Sequence, residues 1–81
     1  MKDFKKILEY FGRDLNEATK EHGEYRFGSM YGRYNVWKWD EEENVATETY
    51  AYIDKYDDKV ICEVKYKLQG DKPVEIDKEY F

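Results

Sequence analysis

Residues 45–68, VATETYAYIDKYDDKVICEVKYKL, decide the fold because apolar and polar side chains alternate on both sides of a short acidic break. A period of two is typical of strands with one buried face. It predicts strands over residues 45–53 and 59–68, joined by a turn at Asp54–Asp58. The segment therefore predicts an antiparallel hairpin.

One register of this hairpin satisfies both faces of the sheet. Pairing Ile53 with Val60 aligns the apolar side chains of the two strands on one face. The same pairing places Glu48 opposite Lys65 on the other face, beside Tyr50. We therefore expect Glu48 on the outer, solvent-facing side of the sheet.

The hairpin continues toward the C-terminus. Residues 74–80 alternate in the same way after a turn that contains glycine and proline. Extending the register with Leu68 opposite Val74 pairs Cys62 with Tyr80 on the inner face and Lys65 with Asp77 on the outer face. These pairs predict a meander of at least three strands.

Two further strands are predicted upstream of the hairpin, at residues 24–31 and 33–39, with Gly32 between them. Gly28 interrupts the first of these strands, which is typical of a bulge. The alternation therefore predicts four to five strands in sequence order.

The N-terminal residues have a helical period, which predicts one amphipathic helix over residues 3–22. Its apolar side chains fall at spacings of three and four: Phe4, Ile7, Leu8, Phe11, Leu15 and Ala18. On this interpretation Gly12 is a weak point in the middle of the helix, and His22 followed by Gly23 ends it.

These elements together predict an α+β fold in which one N-terminal amphipathic helix packs on a four- to five-stranded antiparallel β-meander. A chain of 81 residues suits a single domain, residues 1–81. The one cysteine excludes an internal disulfide. The sequence predicts neither a signal peptide nor a membrane span, so the expected location is the cytoplasm.

The length of the turn before Val45 decides where two tryptophans lie. A five-residue turn, Asp40–Asn44, directs Trp37 and Trp39 into the core, where small threonine and alanine side chains leave room for them. A four-residue turn exposes both rings. The sequence favours the buried arrangement and leaves the other open.

The sequence gives no basis for catalysis. The only serine, histidine and cysteine, Ser29, His22 and Cys62, belong to different predicted elements, and no catalytic triad follows from them. The acidic runs lack the alternate-position ligands of a calcium loop, and the glycines do not match a phosphate-binding loop. We therefore expect a protein that is not an enzyme and that binds no metal or cofactor.

Negative charge is concentrated in one segment, since residues 40–58 hold eight acidic residues and one lysine. An acidic surface of this kind suits recognition of a basic partner. The predicted partner-binding residues are Asp40, Glu41, Glu42, Glu43, Glu48, Asp54, Asp57 and Asp58. With Glu48 on the outer face, they would form an acidic ridge between the two ends of the sheet.

An aromatic sheet face is the alternative binding surface. If the tryptophans are exposed, it consists of Arg33, Trp37, Trp39, Tyr50 and Tyr52. Basic and aromatic residues also alternate over residues 25–39, which favours nucleic acid, but the acidic segment beside them would repel phosphates. We therefore expect no direct nucleic-acid binding.

One helix before an antiparallel meander is similar in outline to the cystatin-like arrangement. The inhibitory Gln-x-Val-x-Gly motif is missing, because Gln69 is followed by Gly70-Asp71-Lys72, so the resemblance implies topology alone. In size and charge the chain also resembles small phage-encoded antagonists, including anti-CRISPR proteins and DNA mimics. This resemblance implies an inhibitor that occupies a basic, nucleic-acid-binding surface of a partner protein. An adaptor or assembly subunit that binds through the aromatic face is the alternative.

Overall fold

The computed structural model describes residues 2–28, 32–54 and 57–81, except for the side chain of Asp54. The chain begins with helix α1, Lys2–Tyr10, and a 3₁₀ turn, Leu15–Glu17. Six strands follow: β1 Thr19–Glu21, β2 Glu24–Gly28, β3 Arg33–Asp40, β4 Val45–Asp54, β5 Asp57–Gln69 and β6 Lys72–Tyr80. Residues 29–31, the end of the strand predicted over residues 24–31, lie outside the described residues.

Helix α1 is much shorter than predicted because Gly12 ends it. Gly12 has φ +73°, and its N–H donates to the Glu9 carbonyl at 3.0 Å. The N–H of Arg13 donates to the Leu8 carbonyl at 2.8 Å. These two bonds form a Schellman motif with glycine in the left-handed position. The predicted weak point of a long helix is therefore its C-terminal stop.

His22 and Gly23 form a hairpin turn, not a helix end. Glu21 pairs with Glu24, and the two residues between them have φ 52° and 78°. Positive φ at both central residues is typical of a type I′ turn, whose twist matches that of the strands. The segment predicted as the last part of the helix therefore contributes a sixth strand.

The strands form one antiparallel sheet in sequence order from β1 to β6. The predicted α+β class and the meander order are thus confirmed, with six strands in place of four to five. At the C-terminal end, the predicted pairs Cys62 with Tyr80 and Lys65 with Asp77 are present. The predicted pair Leu68 with Val74 is wrong, because the register shifts between Lys65 and Tyr66 and Leu68 pairs with Pro73.

The turn between β3 and β4 has four residues, since Asp40 pairs with Val45. Trp39 consequently lies opposite Ala46, and Trp37 lies opposite Glu48. The tryptophans are nevertheless not exposed, because this is the face that packs on α1. The structure therefore has the four-residue turn that was predicted to expose the tryptophans, but it buries Trp37 as the five-residue alternative predicted.

The predicted register of β4 and β5 is wrong by one residue or more. Glu48 pairs with Val64 and Tyr50 with Cys62, where the prediction placed Glu48 opposite Lys65. Beyond Tyr50 the register shifts again and leaves Ile61 as an extra residue in β5. Because of this difference in register, Glu48 lies on the inner face of the sheet and not on the outer face as predicted.

We call the sheet face that contacts α1 the helix face. The buried core there comprises Phe4, Ile7, Leu8, Phe27, Trp37 and Ala46. Leu15, Ala18, Tyr25, Trp39, Tyr66 and Leu68 pack against it. The rings of Phe4 and Trp39 stack with centroids 5.6 Å apart, so large aromatics fill much of this small core.

Helix α1 covers only one end of the helix face. Nine helical residues span about 14 Å, whereas the ten residues of β4 span roughly 33 Å. Tyr50 and Tyr80 lie on the helix face beyond the helix and are 39% and 70% exposed.

Within the described residues, no helix is long and apolar enough to cross a membrane.

Candidate functional site

The acidic turn, which we define as Asp40–Glu43, is held in shape by its own first residue. The Oδ1 atom of Asp40 accepts hydrogen bonds from the backbone N–H groups of Glu42, at 3.0 Å, and Glu43, at 3.3 Å. Asn44 closes the turn with φ 54°, a conformation that asparagine tolerates well. The three glutamates therefore project from a structured backbone.

The glutamates of the acidic turn are exposed. Among the described residues, none of Glu41, Glu42 and Glu43 has a basic side chain within ion-pair distance. Trp39 is half-buried next to the turn, and a shallow cleft there is lined by Trp39, by acidic residues of the turn and by Lys38. The turn thus combines concentrated negative charge with one partly accessible aromatic ring.

Asp57 and Asp58 lie at the other end of the sheet. Asp58 pairs with Ile53, and both aspartates are exposed. Burial raises the pKa of the Tyr34 phenol, and the charge of Asp58 raises it further. The predicted site residue Asp54 lies outside the residues whose side chains are described. These acids are therefore separated from the acidic turn by the length of β4.

The predicted acidic ridge is wrong at Glu48. This side chain is only 3% exposed and lies on the helix face, so it cannot link the two acidic ends on the outer face. Its Oε2 atom accepts a hydrogen bond from Asn35 Nδ2 at 2.7 Å, and Oε1 accepts one from the Tyr66 hydroxyl at 3.5 Å. The hydroxyl of Tyr50 is a further partner of the carboxylate.

The pKa of Glu48 is raised, because burial penalises its charged form more than its neighbours stabilise it. Hydrogen bonding from Tyr50, the charge of Arg13, and hydrogen bonds from Tyr66 and Asn35 oppose that effect. Burial and the nearby carboxylate raise the pKa of Tyr66 to about 12. The pKa of Tyr50 is raised further by the same causes. The phenols therefore stay protonated and act as donors to Glu48.

The predicted platform of two exposed tryptophans is also wrong. Trp37 is fully buried against Phe11 and Tyr66, and Trp39 is half-buried against Phe4. Burial follows from the position of α1, which covers this end of the helix face. The remaining members of the predicted aromatic surface are exposed or half-buried: Arg33, Tyr50 and Tyr52. Partner binding by these three residues stays a prediction.

The described residues bring together no nucleophile and base. Cys62 is buried in β5, where it faces Tyr50 and Tyr80 across the strands. His22 is exposed in the turn between β1 and β2, and its Nε2 atom lies 3.6 Å from Glu21 Oε1. In the part of the chain that the structure describes, no three His, Cys, Asp or Glu side chains are grouped to hold a metal ion.

Comparisons of the chain with protein-family models, with curated proteins and with solved structures found no match.

Sequence reasoning missed the hydrogen-bonded group around Glu48, which includes Asn35 and Tyr66. One signal for it was available. Aspartate before a turn and asparagine at its last position favour four turn residues, here Glu41–Asn44. Counting back from that turn places Trp37 and Glu48 on the same face, so burying the tryptophan also buries the carboxylate.

Proposed function

We propose that the protein is a non-enzymatic acidic antagonist that uses the acidic turn to occupy a basic, nucleic-acid-binding surface of a partner protein. Phage-type antagonists of the anti-CRISPR-like or DNA-mimic kind act in this way. The observation that carries the proposal is the acidic turn itself, with three exposed glutamates on a backbone fixed by Asp40.

Three physical arguments support a role in binding. A turn that is already ordered loses little conformational freedom when it docks, so more of its interaction energy remains as affinity. Because Glu41, Glu42 and Glu43 have no ion-pair partner within the described part of the chain, their carboxylates are available to steer a basic partner. Trp39 beside the turn supplies the kind of aromatic contact that often dominates interface energy.

The experiment compares two triple variants with the same net charge. In the test variant Glu41, Glu42 and Glu43 become glutamine. In the control variant three exposed carboxylates elsewhere become glutamine: Glu9, Glu17 and Glu79. Each variant is immobilised and exposed to a bacterial extract at low and moderate salt, and captured proteins are quantified by mass spectrometry.

The proposal expects wild type and the control to capture a nucleic-acid-binding protein that the test variant loses, mainly through slower association. The captured protein should release its nucleic acid when wild type is added, as seen by electrophoretic mobility. If both variants lost the captured protein equally, net charge alone would account for the binding. No loss in either would remove the acidic turn from recognition. Both results contradict the proposal.

A further inference from the structure

An open cleft lies on the helix face beyond the end of α1. Its volume is about 330 Å³, within the range of sites that hold small organic molecules. Six residues from four parts of the chain supply most of its lining: Arg13, Phe27, Gly28, Arg33, Asn35 and Tyr50. The cleft exists because the Schellman motif at Gly12 ends the helix before it reaches this part of the sheet.

The lining of the cleft is positive although the chain as a whole carries a net charge of −5. It contains the guanidinium groups of Arg13 and Arg33. No carboxylate lines it, but the buried carboxyl group of Glu48, which Asn35 and Tyr50 contact, lies behind it and interacts with Arg13. Among the described residues, neither arginine lies within 4.0 Å of a carboxylate oxygen. Guanidinium groups bind carboxylates and phosphates in a planar, two-bond geometry, so the cleft favours an anion.

Aromatic rings border the same cleft. Tyr50 is 39% exposed as a residue. Phe27 packs under Arg13, whose Cζ atom lies 5.6 Å from the centroid of the Phe27 ring. Gly28 also lines the cleft, and a Cβ there would meet Tyr34 Cα at 3.1 Å. An exposed ring beside a cation suits a flat, conjugated ligand group.

Asn35 adds a requirement for a hydrogen-bond donor. The residue is 4% exposed, and its Nδ2 atom is committed to Glu48 at 2.7 Å. Its Oδ1 atom has no partner among the described residues. A buried acceptor without a donor is unfavourable, so an N–H group that reached this oxygen would gain affinity. Oδ1 is covered in the free protein, so contact follows a side-chain shift of the kind that commonly accompanies binding.

We propose that this cleft binds a small organic anion that carries a flat ring with an N–H donor. A nucleoside monophosphate is the representative ligand of this class. The phosphate contacts the guanidinium groups of Arg13 and Arg33, the ring lies against Tyr50, and a ring or exocyclic N–H donates to Asn35 Oδ1. The site is separate from the acidic turn, so its occupancy does not depend on the antagonist function.

Titration followed by amide NMR spectra of labelled protein tests the assignment. The probes are adenosine monophosphate, adenosine, inorganic phosphate and a short single-stranded oligonucleotide. Adenosine monophosphate should shift the side-chain amide signals of Asn35 and bind at least tenfold more tightly than adenosine or phosphate alone. Arg33→Gln, at an exposed position, should weaken it by about tenfold.

The matched control is Lys38→Gln, which also removes one positive charge but is exposed on the outer face. Its affinity for adenosine monophosphate should stay within twofold of wild type. Equal binding of phosphate and adenosine monophosphate would show an adventitious ion only. Equal effects of the two variants, or tighter binding of the oligonucleotide than of adenosine monophosphate, would likewise overturn the small-ligand site. The absence of binding at millimolar concentration would overturn it as well.

Discussion

Replacing Gly12 with alanine tests where α1 ends. In the interior of a helix, glycine is less favourable than alanine by about 1 kcal/mol, so the substitution would stabilise the long helix predicted from sequence. Gly12 instead has φ +73°, and an L-residue pays about 1–2 kcal/mol there. A Cβ at Gly12 would meet no atom within 4 Å, so no clash adds to this cost. The two interpretations therefore predict opposite signs.

Urea unfolding followed by circular dichroism measures the difference directly. We expect Gly12→Ala to lower the free energy of unfolding by about 1–2 kcal/mol and the midpoint of thermal unfolding by roughly 4–16 °C, since 1 kcal/mol corresponds to about 4–8 °C in a domain of this size. Gly12→Asn is the control and should lose less, because asparagine tolerates the left-handed conformation. An alanine variant as stable as wild type, or more stable, would refute the Schellman stop.

Three other predictions concern buried groups. Because burial raises the pKa of Glu48, its stabilising protonation is complete below the ordinary value of 4.5 and is lost as pH rises through the folded-state pKa. Wild type should therefore lose stability relative to Glu48→Gln across that interval in urea titrations, and a constant difference would contradict this. Trp37→Ala removes a fully buried ring and should cost about 3–5 kcal/mol, enough to unfold the domain; iodide should quench Trp37 poorly in wild type, and a folded alanine variant would be unexpected. Cys62→Ser should cost about 1–2 kcal/mol, and native Cys62 should react slowly with thiol reagents; rapid labelling would contradict its burial.

The strand order of the C-terminal meander and the pairing of β5 with β6 up to Lys65 were predictable, because the residue pattern differs between the two faces. Opposite charges on one face and apolar side chains on the other select a common register near Lys65, and the pairs with Asp77 and Tyr80 follow. The register of β4 was not predictable in the same way. Ala46, Thr47, Thr49 and Ala51 are all small, so neither face of β4 is clearly the apolar one.

The length of α1 was not predictable from apolar spacing. Leu15 and Ala18 continue the helical period, yet they pack against the core from the 3₁₀ turn and the residue after it. Spacing shows that a side chain is buried, not which backbone conformation brings it there. The acidic turn was predictable as an exposed charged segment, whereas the cleft depends on the helix stop and on the register of β4.

The irregular last strand limits how a partner can engage the sheet. Strand β6 is an edge, and the register shift near Tyr66 leaves Ile76 without an opposite residue in β5. Pro73 has no N–H to offer, and the edge strand at the other side, β1, has only three residues. Neither edge presents a long, regular row of donors and acceptors for β-augmentation. We therefore expect recognition to depend on side chains, so that single substitutions can abolish it and the protein resists edge-to-edge aggregation at high concentration.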